Sequence, residues 1–519
     1  MADKPRKPNI LVIFGDDIGY WNVGAYTHGM MGATPNIDSI AKEGVLFTDH
    51  YAQPSCTAGR AAFIMGQFPV RTGMTTIGIP GSKRGIQPVD PTLAEVLKTQ
   101  GYACGQFGKN HLGDRNEFLP TMHGFDEWFG NLYHLNAEEE PEELDYPGQK
   151  NPDYKKKYGP RGVLHTWATT KDDPTEDPKF GKVGRQKIED TGPLTRKRME
   201  TFDAEVLAET LKWLDRNPGK DKPFFCWFNS TAIHVWSHPN PKYIQKAVDE
   251  GRAEEDVVRA RMIEHDEHVG ALLKKLKDLG VADNTIVVYT TDNGNELMFW
   301  PDGGYAPFRG EKGTTWEGGV RVPCLVKWPG KIPPGRVSNG IQCHEDLYAT
   351  LAAAAGLPDL KDKLLQGYKM GETTYKVHLD GYNQLAHWTD DAKSARREVF
   401  YYDETDLMAV RVDNWKIHIG VKHHNSWFNE KSYPSVPYLF NLRMDPMEKM
   451  DPESEEWGYV GRKFFAAKLW APTAAGPFIA AHLQSLKAFP PAQGADTLSL
   501  HKALEQAQRL METPHGSSN

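Results

Sequence analysis

Three acidic residues and one amide, placed at the ends of two apolar runs, could supply hard oxygen donors for a divalent cation. The run Asn9-Ile10-Leu11-Val12-Ile13-Phe14 leads through Gly15 into Asp16 and Asp17. The run Asn284-Thr285-Ile286-Val287-Val288-Tyr289-Thr290-Thr291 leads into Asp292 and Asn293. Such runs read as strands covered on both faces, and ligand sites in open α/β sheets lie outside the carboxyl ends of strands. Asp16, Asp17, Asp292 and Asn293 are therefore expected to converge from distant parts of the chain. Carboxylates and an amide oxygen, with no thiolate or imidazole to favour zinc or copper, suit Ca²⁺ or Mg²⁺. An isolated acid pair after a strand is more often turn and cap chemistry; two matching strand exits shift the reading to metal.

Other segments carry groups suited to anions and protons. Pro54-Ser55-Cys56-Thr57-Ala58-Gly59-Arg60 offers one thiol with an arginine four residues on, although an isolated free cysteine is usually a small buried hydrophobe. Gly105-Gln106-Phe107-Gly108-Lys109-Asn110-His111-Leu112-Gly113 sets a cation and an imidazole two residues apart. In an extended segment both would face one side, and an imidazole titrating near neutrality suits proton transfer. His234 follows the third apolar run, which begins at Phe224; His238, four residues on, reads as loop. Lys312 lies in the glycine-rich stretch Arg309 to Pro323, where glycines allow a close backbone approach.

The order of these motifs, from near Asn9 to Asp451, resembles that of the type I sulfatases of the alkaline phosphatase superfamily. The segment Cys56 to Arg60 resembles the signature at which these enzymes oxidise a cysteine to Cα-formylglycine. The hydrated aldehyde is a geminal diol: one hydroxyl attacks sulfur, and the other collapses to expel sulfate. The commonest form of the signature has Pro and Ser where this chain has Ala58 and Gly59, and Thr is more frequent at the place of Met65. The resemblance implies calcium, with Mg²⁺ as the alternative, held by Asp16, Asp17, Asp292, Asn293 and an oxygen at position 56. It implies that Lys109 binds the sulfate and the formylglycine oxygen, that His111 takes the diol proton, and that His234 and Lys312 stabilise the departing oxygen. Arg60 would hold the formylglycine and the metal-site carboxylates.

The implied reaction is hydrolysis of a small-molecule sulfate monoester, an aryl sulfate first among them, after processing by a formylglycine-generating maturase. One rival is a formylglycine-dependent phosphonate monoester or phosphodiester hydrolase. A second is a non-catalytic binding protein on the same fold, with Cys56 left as thiol; the complete residue set argues against such decay. The motifs grip sulfate and say little of the organic half, so aryl, carbohydrate and alkyl esters all stay open.

At 519 residues and 39% hydrophobic content the chain can bury a large core and form more than one domain. Its net charge of −8 and lack of a basic block give no footprint for nucleic acid. Five widely spaced cysteines argue against a disulfide framework and show no zinc spacing. The amino terminus has no apolar leader, which reads as cytoplasmic as written, or periplasmic had a leader been removed. No apolar run is long enough to span a membrane.

Strands alternate with helical stretches, so residues 1–392 are expected to form an α/β catalytic domain. Its sheet, large, mixed and mostly parallel, would be flanked by helices, in the alkaline phosphatase-like arrangement that the resemblance implies. Glu255 to Leu279 reads as an amphipathic helix with Val258, Met262, Val269, Leu272, Leu273 and Leu276 inward, and His265 and His268 as structural. Residues 136–197 lack periodicity and read as an irregular surface insertion, with Glu138-Glu139-Glu140 a solvated face. Four short strands within 393–460 predict an antiparallel subdomain. Residues 461–519 read as a helical extension, with helices from Pro477 and Leu498, either packing on a second subunit in a homo-oligomer or ending as a loose tail.

Overall fold

The computed structural model describes residues 6–299 and 306–512; residues 1–5 of the amino-terminal segment lie outside it. Its centre is the strand Asn9–Gly15, every residue of which is buried. Ile10, Val12 and Phe14 point into one apolar cluster, and Leu11 and Ile13 into another on the opposite face. This two-residue alternation explains the unbroken apolar run, because both faces of the strand must be covered.

The strand pairs in parallel with Phe224–Asn229 on one side and Thr285–Thr291 on the other. Beyond Phe224–Asn229 lie Ala103–Gly108, Glu127–Gly130, Leu164–Asp177 and Gly181–Asp190; beyond Thr285–Thr291 lie Cys324–Lys327, Val45–Phe47 and Arg336–Ser338. Only Cys324–Lys327 and Leu164–Asp177 run against their neighbours, so this 10-stranded sheet is mixed and mostly parallel.

Helices cover both faces. On one side lie Cys56–Met65, Leu93–Thr99 and His344–Ala354; on the other lie Pro35–Lys42, Arg196–Arg216 and Val257–Asp278. Leu93–Thr99 starts at a capping box, in which Glu95 N donates to Thr92 Oγ1 at 3.1 Å and Thr92 N donates to Glu95 Oε2 at 2.7 Å. All six residues of the expected stripe on Val257–Asp278 are buried, as are His265 and His268, and the His265 ring packs 5.7 Å from that of Tyr289.

The 136–197 region departs from the expectation of an irregular insertion. It contains a long hairpin, Leu164–Asp177 with Gly181–Asp190, that extends the main sheet. Its outer part is exposed, so it needs no apolar alternation and leaves no period to read.

The strands Glu398–Asp403, Asp406–Val412, Trp415–His418 and Tyr438–Asn441 form the expected antiparallel sheet. The helix expected to begin at Pro477 starts at Trp470 and runs to Ala488 with Pro477 inside it. Ala471 and Ala475 bury its first half against the small sheet, and this packing outweighs the cost of an interior proline. Helices Gly458–Ala466 and Leu500–Glu512 flank it in sequence. Among the described residues no helix is long and apolar enough to cross a membrane.

Candidate active site

The two strand exits converge as their spacing required. Asp16, Asp17, Cys56 and Asp292 are buried, and one potential ligand atom from each lies within 4.8 Å of the others. Asp17 adopts φ 61° directly after the first strand, and its N–H donates to Asp292 Oδ1 at 3.3 Å. Cys56 opens the helix Cys56–Met65, with Sγ 3.4 Å from Asp16 Oδ1 and 4.0 Å from Asp17 Oδ1. Asn293 Nδ2 donates to Asp17 Oδ1 at 2.6 Å, while its Oδ1 is buried without a hydrogen-bond partner. Exchanging the amide's nearly isosteric O and N would turn that orphaned oxygen toward the carboxylates. The donor set and this orphan fit a hard divalent cation.

Three cations balance the three aspartates. Lys109 Nζ lies 2.6 Å from Asp16 Oδ2, and Lys312 Nζ lies 2.8 Å from Asp17 Oδ1 and 3.2 Å from Glu296 Oε2. Arg60 Nε and Nη2 donate to Asp292 Oδ2 at 3.0 and 2.8 Å, and Nη1 reaches Asn229 Oδ1 at 3.0 Å and Lys109 O at 3.2 Å. Burial works against both ammonium groups, yet Asp16 beside Lys109 and Asp17 beside Lys312 hold their pKa values above the ordinary lysine value. Burial pushes the Cys56 thiol well up despite both lysines, so position 56 left as cysteine is a thiol and not a thiolate. Burial, then Asp16, raises Asp292 against the pull of Arg60.

The structure accounts for one departure from the commonest signature. A Cβ on Gly59 would stand 1.7 Å from the Asp292 carbonyl oxygen, so glycine lets the cysteine helix press directly on the second strand exit.

Lys109 and His111 do not share one side of an extended segment. The strand ends at Gly108, φ +95°, and His111 sits at φ 57°, so the chain turns between the two side chains. Lys109 points to Asp16, whereas His111 Nε2 meets the Gly78 carbonyl at 2.9 Å. A carbonyl only accepts, so Nε2 carries the proton and buried Nδ1, which has no partner, carries a lone pair. His234 is fixed in the opposite sense, with Nδ1 held by the Val235 carbonyl and Nε2 bearing the lone pair. His238 instead pairs with Glu139 Oε2 at 2.6 Å.

Sequence reasoning missed His134, whose ring centroid lies 5.7 Å from that of His111 and 6.4 Å from that of His234. It bridges the two anticipated histidines and lines the cavity, and burial lowers its pKa to about 3. Glu296 was also missed. Glu138 and Glu139 are not a solvated face: both are 4% exposed. Burial pushes Glu138 up to about 8, and Glu139 ties His238 to Arg196. The signal for His134 and Glu139 is their junction with His234 and His238 after the third strand exit, which exists only in the folded chain, whereas Glu296 stands three residues after Asn293.

A cavity of about 670 Å³ opens above the cluster. Its floor includes Ser55, His134, His234 and Lys312, and the segment that joins Trp415–His418 to Tyr438–Asn441 contributes Lys422 and Trp427 to its wall. A buried cation cradle joined to paired lysines and histidines, at the carboxyl end of a mostly parallel sheet, defines a hydrolase site for an anionic ester. The sulfatase pattern matches residues 8–357, and that of the C-terminal region of aryl-sulfatase matches residues 394–464. The chain is 32% identical over 480 residues to N-acetylgalactosamine-6-sulfatase of Canis lupus familiaris, covering 86% of this chain and 82% of that protein. It is 32% identical over 470 residues to arylsulfatase A of Homo sapiens, covering 85% and 83%. The crystal structure of PsFucS1 sulfatase from Pseudoalteromonas sp. superposes with a TM-score of 0.79 at 29% identity, covering 95% of this chain and 93% of that one. The chain therefore belongs to the sulfatase family, as a type I sulfatase of the alkaline phosphatase superfamily, and is a sulfuric ester hydrolase.

Proposed function

We propose that this sulfatase cleaves a sulfate monoester, an aryl sulfate first among candidates, at position 56 after conversion of Cys56 to formylglycine by a maturase. The observation that carries the reading is the clustering of Asp16, Asp17, Cys56 and Asp292 within 4.8 Å, with Lys109 and Lys312 on the two amino-terminal aspartates. The modified residue would supply a geminal diol as nucleophile, and a divalent cation, calcium by family resemblance, would supply positive charge to the ester.

The remaining work falls to side chains already in place. Asp16, Asp17, Asp292 and Asn293 would hold the cation. Arg60, anchored on Asp292 and Asn229, fixes the second strand exit against the cysteine helix. Lys109 and Lys312 present fixed ammonium charge where negative charge develops, and charge placed in advance costs no reorganisation during reaction. His111 Nδ1, with its vacant lone pair, is suited to accept a hydroxyl proton at position 56. Lys312, kept protonated by Asp17, lines the cavity and is suited to steady the departing oxygen, while His234 Nε2 and His134 orient it.

The test is peptide mass spectrometry of position 56 in protein made with and without a maturase, alongside turnover of an aryl sulfate and its phosphate counterpart. Turnover of the sulfate ester that tracks with the aldehyde is the expected result. Turnover that persists with an intact thiol would sink the nucleophile assignment, and a preference for the phosphate ester would sink the substrate assignment.

A further inference from the structure

The carboxy-terminal extension returns to the active-site face. Between the helices Trp470–Ala488 and Leu500–Glu512, residues 493–499 cross the rim of the cavity and are bolted at both sides. On the catalytic side, Gln493 Nε2 donates to Thr72 O and to Gly85 O, both at 2.7 Å. Asp496 N donates to Gly73 O at 2.8 Å, and Thr75 Oγ1 donates to Asp496 O at 2.6 Å. These partners follow the cysteine helix almost directly. On the other side, Thr497 Oγ1 and Leu498 N donate to the Glu404 carboxylate at 2.8 and 3.0 Å. Lys502 Nζ reaches Asp406 Oδ2 at 2.8 Å, on the same hairpin of the small sheet. A loose tail would make none of these bonds.

Leu498, Ser499 and Lys502 line the same cavity as His234 and Lys312. Leu498 is 44% exposed, so its side chain faces open space and not a packed core. Lysines at this rim are already matched with acids: Lys422 with Asp403 at 3.1 Å, Lys431 with Asp406 at 2.9 Å, and Lys502 with Asp406. Trp236 and Phe428, 41% and 83% exposed, add flat apolar surface to the cavity lining. A second anionic group arriving here would meet cations already paired and carboxylates beside them, whereas an uncharged flat group would meet apolar surface.

We infer that the segment Gln493–Lys502 is the specificity wall of the cavity, that Leu498 and Ser499 select the organic half of the ester, and that the half they admit is uncharged. The inference rests on the sulfate-ester reading for the identity of the ligand, and it is tested by binding so that the two stand or fall apart.

Cys56→Ala protein, which lacks the nucleophile, is titrated calorimetrically with two matched esters, 4-carbamoylphenyl sulfate and 4-carboxyphenyl sulfate. The uncharged ester is expected to bind at least about tenfold more tightly, within the discrimination a shaped pocket achieves. Leu498→Trp, at an exposed position where folding is not at stake, is then added. It is expected to weaken 4-methylumbelliferyl sulfate about tenfold while leaving phenyl sulfate within about twofold. Equal affinity for the charged and uncharged esters overturns the charge assignment. Equal effects of Leu498→Trp on the large and small esters overturn the wall. Tight, size-selective binding by a wild-type protein that hydrolyses none of them, with position 56 converted, would count against the sulfatase reading and leave the wall standing.

Discussion

Replacing Arg60 by alanine isolates what holds the two halves of the site together. The guanidinium and the Asp292 carboxylate are both fully buried, and the arginine makes five hydrogen bonds of 2.8 to 3.5 Å, two to Asp292 and one each to Asn229 and the carbonyls of Lys109 and Gly15. Its loss strands a buried carboxylate, which costs about 3–5 kcal/mol. Water entering the space would shield the carboxylate in part, so the lower end of that range is the expectation. With a urea m-value near 3 kcal/mol per M, a loss of about 3 kcal/mol moves the transition midpoint down by about 1 M. The assay is equilibrium unfolding in a chelator, followed by tryptophan fluorescence. Arg60→Lys keeps the charge but cannot form the fork, and it should fall between wild type and alanine. Removing the guanidinium also raises the Asp292 pKa further, so the gap between variant and wild type narrows as the pH falls and that carboxyl takes a proton. An Arg60→Ala midpoint within about 0.2 M of wild type, or an Arg60→Lys protein as stable as wild type, would refute the account of Arg60 as the clamp between helix and strand exit.

Chelation of the mature enzyme should abolish turnover; a 7- or 8-coordinate site would be restored better by Ca²⁺ than by Mg²⁺, and recovery with Mg²⁺ alone would reject calcium. Lys312→Met should lower kcat by about 10²–10³ and also lower stability in the metal-free protein, because it strands the buried Asp17 and Glu296 carboxylates; steady-state kinetics and thermal unfolding read the two effects separately. Stability should fall between about pH 6.5 and pH 4, because burial lowers His265 to about 3 and His482 to about 4. The unfolded chain binds protons on these rings first, and each ring costs roughly 2 kcal/mol by pH 5. His265→Leu should flatten that slope by about one proton in denaturant titrations between pH 7 and 5.

The central strands were readable because burial on both faces demands an unbroken apolar run, and Asn9–Gly15, Phe224–Asn229 and Thr285–Thr291 all carry one. Their polar exits followed from position alone, which is why Asp16, Asp17, Asp292 and Asn293 could be paired across the chain. Other features depend on backbone turns or on surfaces that exist only after folding. The divergence of Lys109 from His111 hangs on left-handed conformations at Gly108 and His111. His134 has no neighbour in sequence to mark it, Glu296 follows Asn293 by three residues but gains its meaning from Lys312 across the fold, and the exposed part of the 164–190 hairpin has no core face to impose a period. The rim segment at 493–499 is irregular and polar, and its meaning lies in bonds to residues some four hundred positions earlier.

The pairing of the first strand has a consequence for synthesis of the chain. Asn9–Gly15 leaves the ribosome early, but its neighbours Phe224–Asn229 and Thr285–Thr291 are made more than two hundred residues later. At ordinary translation rates of 5–20 residues per second, the first strand waits about 10 to 50 s without either partner. The same delay applies to Cys56, which is 0% exposed once Asp292 has arrived and the helix has closed on it. A maturase of the kind proposed above would have the interval of translation in which to reach this thiol, and slower elongation over residues 57–292 would lengthen its opportunity.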